Sequence, residues 1–92
     1  MRSCFALKLQ KRAGGEASLT FHRSPDGWYR YEVEDTAIDG APWKVAGTRE
    51  WESVEMAMAA GMARWASIDR GAPDEFSDEK IPGGRLTLLD TR

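Results

Sequence analysis

The sequence predicts an α+β fold, an antiparallel four-stranded β-meander with one α-helix packed across one face. Three observations carry that prediction. Apolar and polar residues alternate through most of the first half of the chain, the period of half-buried strands. Ser24-Pro25-Asp26-Gly27 is a turn whose geometry fixes a register for the strands on either side of it. A single Ala-rich run, Val54 to Ile68, carries only Glu55 and Arg64 as charges and is framed by helix caps.

The first strand is expected at Cys4 to Leu9, with Phe5, Leu7 and Leu9 on one face and Cys4, Ala6 and Lys8 on the other. A loop around Gly14-Gly15 follows, then a second strand with Leu19, Phe21 and Arg23 alternating with Thr20 and His22. In the next turn proline suits the first central position and glycine supplies a positive φ, the pattern of a three-residue hairpin loop with a glycine bulge. That loop sets Phe21 opposite Tyr31, Leu19 opposite Val33 and Arg23 opposite Tyr29, so the apolar residues meet each other across the pair. The third strand, Trp28 to Asp35, turns Tyr29, Tyr31 and Val33 inward. Ile38-Asp39-Gly40 repeats the loop pattern and leads to a fourth strand, Trp43 to Thr48, with Val33 facing Val45, Asp35 facing Trp43, Tyr31 facing Gly47, and Glu34 facing Lys44 on the outer side as an opposite-charge pair.

The helix is expected over about 54–70. Ser53 is its N-cap and Glu55 sits where the helix dipole favours a carboxylate. Arg70 lies in the last turn, Gly71 suits the left-handed C′ position, and Pro73 blocks continuation. Val54, Met58, Gly61, Trp65 and Ile68 form one stripe at helical spacing, flanked by Met62, and should face the sheet. Glycine costs about 1 kcal/mol against alanine inside a helix, so Gly61 implies a close approach to the sheet, over a Tyr or Trp. Asp74 to Glu79 reads as a solvated acidic loop. Arg85 to Leu89 can add a fifth strand with Leu86 and Leu88 inward. One domain is expected over 1–92: a meander (1–48), a helix (53–70), an acidic Pro/Gly loop (71–84) and a tail (85–92), since 92 residues supply one core.

The layout LTFHRSPDGWYRYEVED, a turn, WKVAGT and a capped Ala-rich helix resembles the strand–strand–strand–helix units of YegP-like bacterial domains, over residues 17–68. Those domains carry no defined activity, so the resemblance implies a fold and transfers no functional residue.

Composition narrows the function classes. The net charge is −2 and the pI about 5.4, against the basic surface usual for nucleic-acid binders. The sign is uneven: residues 1–49 hold eight Lys/Arg against six Asp/Glu, and residues 50–92 hold five against nine. One cysteine, Cys4, excludes an internal disulfide and suits a reducing compartment. The opening residues alternate instead of forming an apolar block, and no run reaches the ~18 apolar residues of a membrane span. A cytoplasmic protein is expected, from a bacterial or phage gene by its Ala, Gly and Arg content, with no membrane partner.

No chemistry stands out. Cys4 and His22 are the one nucleophile–base pair. With the first hairpin looped at Ala13 to Gly15, Ala6 would face His22 with Cys4 diagonal to it. Such a pair would lie on a flat face without an oxyanion donor, so no catalytic residue is assigned. One His and one Cys do not make a zinc site, the acidic run lacks a calcium loop's alternation, and neither Gly-Gly pair has the lysine and helix start of a phosphate loop. No cofactor or metal is expected, and the chain is not expected to be an enzyme.

Two surfaces remain. The back of the helix, through Met56, Ala59, Ala60, Ala63 and Ser67, has no long charged residue, and small side chains with a methionine permit close docking. The outer sheet face carries His22, Trp28, Arg30 and Lys44, residue types that can stack on or pair with single-stranded nucleic acid. Glu32 and Glu34 in its middle disfavour phosphate. The expected function is therefore a small non-catalytic protein-binding module whose partner is another protein or a second copy in a homodimer. Two alternatives stand beside it: a nucleic-acid-binding module using the outer face, and a small phage or mobile-element inhibitor of a larger nucleic-acid enzyme.

Overall fold

A computed structural model describes residues 2–12, 14–35 and 43–86. Four strands, β1 (Arg2–Gln10), β2 (Glu16–Arg23), β3 (Tyr29–Asp35) and β4 (Trp43–Ala46), form one antiparallel sheet in the order β1-β2-β3-β4. A two-residue strand β5 (Arg49–Glu50) precedes the helix α1 (Val54–Asp69), which packs chiefly on β3 and β2. Two 3-10 turns, Pro73–Glu75 and Asp78–Lys80, lead to β6 (Arg85–Leu86), which pairs with β5 in a second small sheet. The fold is the α+β meander expected from the sequence. None of its helices among the described residues is long and apolar enough to cross a membrane.

The registers of the central pairs are those the turns dictate. Phe21 faces Tyr31, Leu19 faces Val33 and Arg23 faces Tyr29. Val33 faces Val45, Glu34 faces Lys44 and Asp35 faces Trp43. In the turn, Gly27 N donates to Ser24 O (2.9 Å) and Ser24 N to Trp28 O (2.7 Å), with Gly27 at φ 90°. Gly47 N donates to Tyr31 O (2.9 Å), so the expected Tyr31–Gly47 pairing is present just past β4. The loop expected at Ile38-Asp39-Gly40 lies outside the described residues.

The first hairpin differs from expectation. Gly14 takes the bulge position, donating to Lys11 O (3.0 Å), while Lys11 N donates to Gly15 O (3.0 Å). Both Gly14 and Gly15 have positive φ, and the chain closes on the first of them. The register consequently moves by two residues: Ala6 faces Thr20, Leu7 faces Leu19 and Phe5 faces Phe21. A shift of two leaves every side chain on its own face. Ser3, not Ala6, faces His22, and Cys4 falls at a break in register between Ser3 and Phe5, a bulge.

The core holds Leu9, Ala17, Leu19, Phe21, Tyr31, Val33, Trp51, Ala57, Ala60, Trp65 and Phe76, with Phe5, Leu7, Tyr29, Met58 and Ile68 packed on its margin. Trp51 had no place in the strand pattern. It is completely buried, bridges Tyr29 through paired backbone hydrogen bonds (2.7 and 2.9 Å), and donates its indole Nε1–H to Ile81 O (3.2 Å). The sheet's inner row ends in a buried carboxylate, Asp35, bonded at both oxygens by Lys11 Nζ at 3.1 Å.

The helix caps are as read: Met56 N donates to Ser53 Oγ (3.2 Å), and Gly71 adopts φ 80° after Arg70. The buried arc is rotated from the expected stripe. Ala57, Ala60, Gly61, Trp65 and Ser67 are inside, while Val54, Met58 and Ile68 are only half-buried and Met62 is 41% exposed. The close approach at Gly61 is real, but its neighbour is Leu19: a Cβ there would lie 2.8 Å from Leu19 Cδ1. The acidic segment is not a solvated loop, since Phe76 and Asp78 are both buried. The fifth strand is short and pairs with β5, and Leu86 points outward, 63% exposed. Residues 87–89 lie outside the described residues.

Candidate interaction surface

The Ser77–Lys80 turn brings Asp78 under the sheet's end. Its carboxylate accepts from the Tyr31 hydroxyl at one oxygen and from Thr48 N (2.8 Å) and Thr48 Oγ1 (3.1 Å) at the other. Arg64, from the helix, donates Nε–H to the Tyr31 oxygen (3.1 Å), reaches Asp78 at 3.7 Å and lies over the Phe76 ring. Burial, reinforced by the bond to Asp78, pushes the Tyr31 phenol above its ordinary pKa. Every buried polar atom of this cluster faces a structural partner, so its role is to latch the 72–81 segment over helix and sheet. Asp78, Arg64 and Tyr31 were not singled out as a group in the sequence. The signal available was Arg64, the one basic residue in the run Val54 to Ile68.

A second latch holds the strand that follows. Arg85 bonds Asp26 (2.8 and 3.0 Å) and Glu50 (2.7 and 2.9 Å) and lies over the Trp28 ring, 4.1 Å from its centroid. The Ser24 hydroxyl and Arg85 together hold the Asp26 carboxyl below the usual range, and the same pairing raises Arg85.

These contacts decide where the expected outer-face residues stand. Trp28 is half-buried with one ring face covered by Arg85. His22 is half-buried, its Nε2 3.1 Å from Glu32 Oε1. Lys44 Nζ lies 3.9 Å from the same Glu32 oxygen. Arg30 faces His22 across the strand pair. His22 and Lys44 are thus gathered around Glu32, while Trp28 is taken by Arg85. The Cys4–His22 arrangement does not form in the expected register.

The helix back is also reapportioned. Ala60 and Ser67, expected on the open side, are buried; the Ser67 hydroxyl donates to Ala72 O, and the chain after the helix folds back over that side. Met56 and Ala63 are half-buried and only Ala59 of the five is exposed. The solvent stripe is instead Glu55, Ala59, Met62, Ala66 and Arg70. Its only large apolar member is Met62.

A further surface is the edge of β1, which carries no neighbouring strand among the described residues. Lys11 N donating to Gly15 O sets the alternation of the hairpin. Antiparallel ladders direct alternate residues to alternate sides, so Phe5, Leu7 and Leu9 bond toward β2 while the amides and carbonyls of Ala6, Lys8 and Gln10 point away from it. Nine residues is long for an edge strand. Because the helix lies over β3 and β2, Phe5 and Leu7 stay half-buried beside this edge, Phe5 stacked on Phe21 with centroids 4.7 Å apart. An edge that offers both backbone groups and apolar side chains is a template for strand addition.

Among the described residues no group of three or more His, Cys, Asp or Glu side chains is placed to hold a metal ion. Comparisons of the chain with protein-family models, with curated proteins and with solved structures return no match.

Proposed function

We propose that this chain is a non-catalytic protein-binding module of the cytoplasm that docks a partner strand on the edge of β1. The observation that carries the reading is the conjunction at that edge. Three outward-facing backbone positions, Ala6, Lys8 and Gln10, run alongside Phe5 and Leu7, which are left half-buried. Main-chain hydrogen bonds supply affinity in such docking, and flanking apolar side chains supply specificity. The exposed helix stripe is a weaker site, because Met62 stands alone among small and charged neighbours. The outer sheet face is weaker still for nucleic acid, with Glu32 at its centre and Arg85 over Trp28.

Ala6→Pro tests this directly. Its amide is not used by β2, so proline removes an outward donor without breaking the hairpin ladder. Wild type and variant are immobilised and exposed to a lysate of the source organism. Proteins retained by the wild type, a native copy of the chain included, should be lost from the folded variant. Equal retention by both, or none by either, refutes edge docking.

A further inference from the structure

We infer that the strand added to β1 is β1 of a second copy, paired antiparallel about a two-fold axis at Leu7. This rests on the edge reading above and names its partner. The bulge at Cys4 and the hairpin at Lys11 bound the regular run of β1 to Phe5 through Gln10. Setting Leu7 opposite Leu7 of the second copy pairs the apolar row Phe5–Leu7–Leu9 with itself, Phe5 against Leu9 in both directions. Ala6 then faces Lys8, so no like charges stand directly opposite. The neighbouring registers are worse. Setting Lys8 opposite itself confronts two ammonium groups, which destabilises a cross-strand pair, and sets Phe5 against Lys11. Setting Ala6 opposite itself carries Leu9 past the bulge to Ser3.

The parity of the edge agrees with this choice. Ala6 and Lys8 carry the outward backbone groups, so they exchange hydrogen bonds across the axis. Leu7 falls at a non-hydrogen-bonded position, where opposed side chains approach most closely. A two-fold perpendicular to the sheet yields one continuous eight-stranded sheet with both helices on the same side. The half-buried Phe5 and Leu7 become interior residues of that sheet. The contact is a single strand pair, smaller than a permanent interface, so the dimer is concentration-dependent.

Three measurements test the inference. Light scattering across concentration should show a monomer–dimer equilibrium in the wild type that Ala6→Pro abolishes. Ala6→Glu places a carboxylate opposite each Lys8 and should tighten the dimer by about 2- to 30-fold from two opposite-charge pairs. In the register with Ala6 opposite itself the same change would weaken it. In a Cys4→Ser background, Ala6→Cys and Lys8→Cys chains should form disulfide dimers when mixed and oxidised, and not when either is oxidised alone. A wild type that remains monomeric at about 1 mM overturns self-pairing and leaves edge docking to the retention experiment. A dimer that survives Ala6→Pro places the contact elsewhere, overturns self-pairing at β1 and leaves edge docking to the retention experiment. Self-crosslinking of either single-cysteine chain overturns the register.

Discussion

Replacing Asp78 with alanine should cost this protein a large part of its stability, although the residue sits in a run that reads as an exposed acidic loop. The carboxylate accepts from the Tyr31 hydroxyl and twice from Thr48, and faces Arg64 at 3.7 Å. Thr48 is exposed, so its groups regain water at little cost. Tyr31 is completely buried. Its oxygen keeps the bond from Arg64, but its hydrogen loses an acceptor, which costs about 1–3 kcal/mol. Arg64 loses its counter-charge. Breaking a fully buried pair costs about 3–5 kcal/mol, but the Arg64 side chain is 17% exposed, which brings its share down to about 1–2 kcal/mol. The sum is about 2–5 kcal/mol, against a total of roughly 5–14 kcal/mol for a domain of this length. Urea unfolding at neutral pH, followed by tryptophan fluorescence, measures it. Arg64→Met in the Asp78→Ala background should recover part of the loss by removing the stranded charge. A midpoint for Asp78→Ala that corresponds to less than about 0.5 kcal/mol would refute the latch, and with it the placement of the 72–81 segment.

Two further outcomes follow from the same region. The Tyr31 phenol is raised by burial and by Asp78, so above the unfolded value of about 10 the unfolded chain releases a proton that the folded chain keeps. Stability present below that pH is therefore lost as pH rises, by up to about 1.4 kcal/mol per unit. Urea midpoints between about pH 9 and 11 should fall more steeply for wild type than for Tyr31→Phe, and equal slopes would contradict the assignment. Gly47→Ala should destabilise by about 1–3 kcal/mol, because a Cβ there would lie 2.7 Å from Tyr31 Cε2 and 2.9 Å from Cζ, on a ring that hydrogen bonds hold in place. An unchanged melting temperature would mean the ring can move aside.

Much of the fold could be read from local chemistry. Ser24-Pro25-Asp26-Gly27 determined its own loop, and the loop determined the β2–β3 register, because side-chain parity and a fixed hairpin length leave one match of the apolar rows. Ser53, Gly71 and Pro73 bounded the helix by the same kind of local rule. Where two local solutions are nearly equal, the local sequence does not choose between them. Gly14 and Gly15 both accept positive φ, and the loop closed on Gly14.

The surfaces were less legible, for a physical reason. Which side of an Ala-rich helix is buried depends on what lies over it, and alanine is compatible with either environment. The segment after the helix takes the Ser67 hydroxyl at Ala72 O, and Arg64 turns inward because Asp78 and Phe76 meet it there. Asp78 lies 14 residues along the chain from Arg64 and 47 from Tyr31, and no periodicity within either segment encodes that meeting. The edge of β1 sits between these cases. Its alternation was visible in the sequence, and so were Phe5 and Leu7. That the helix would settle over β3 and β2 and leave those two side chains beside an open edge was decided only when the layers packed, because a helix of one apolar face covers about two strands of a four-stranded sheet.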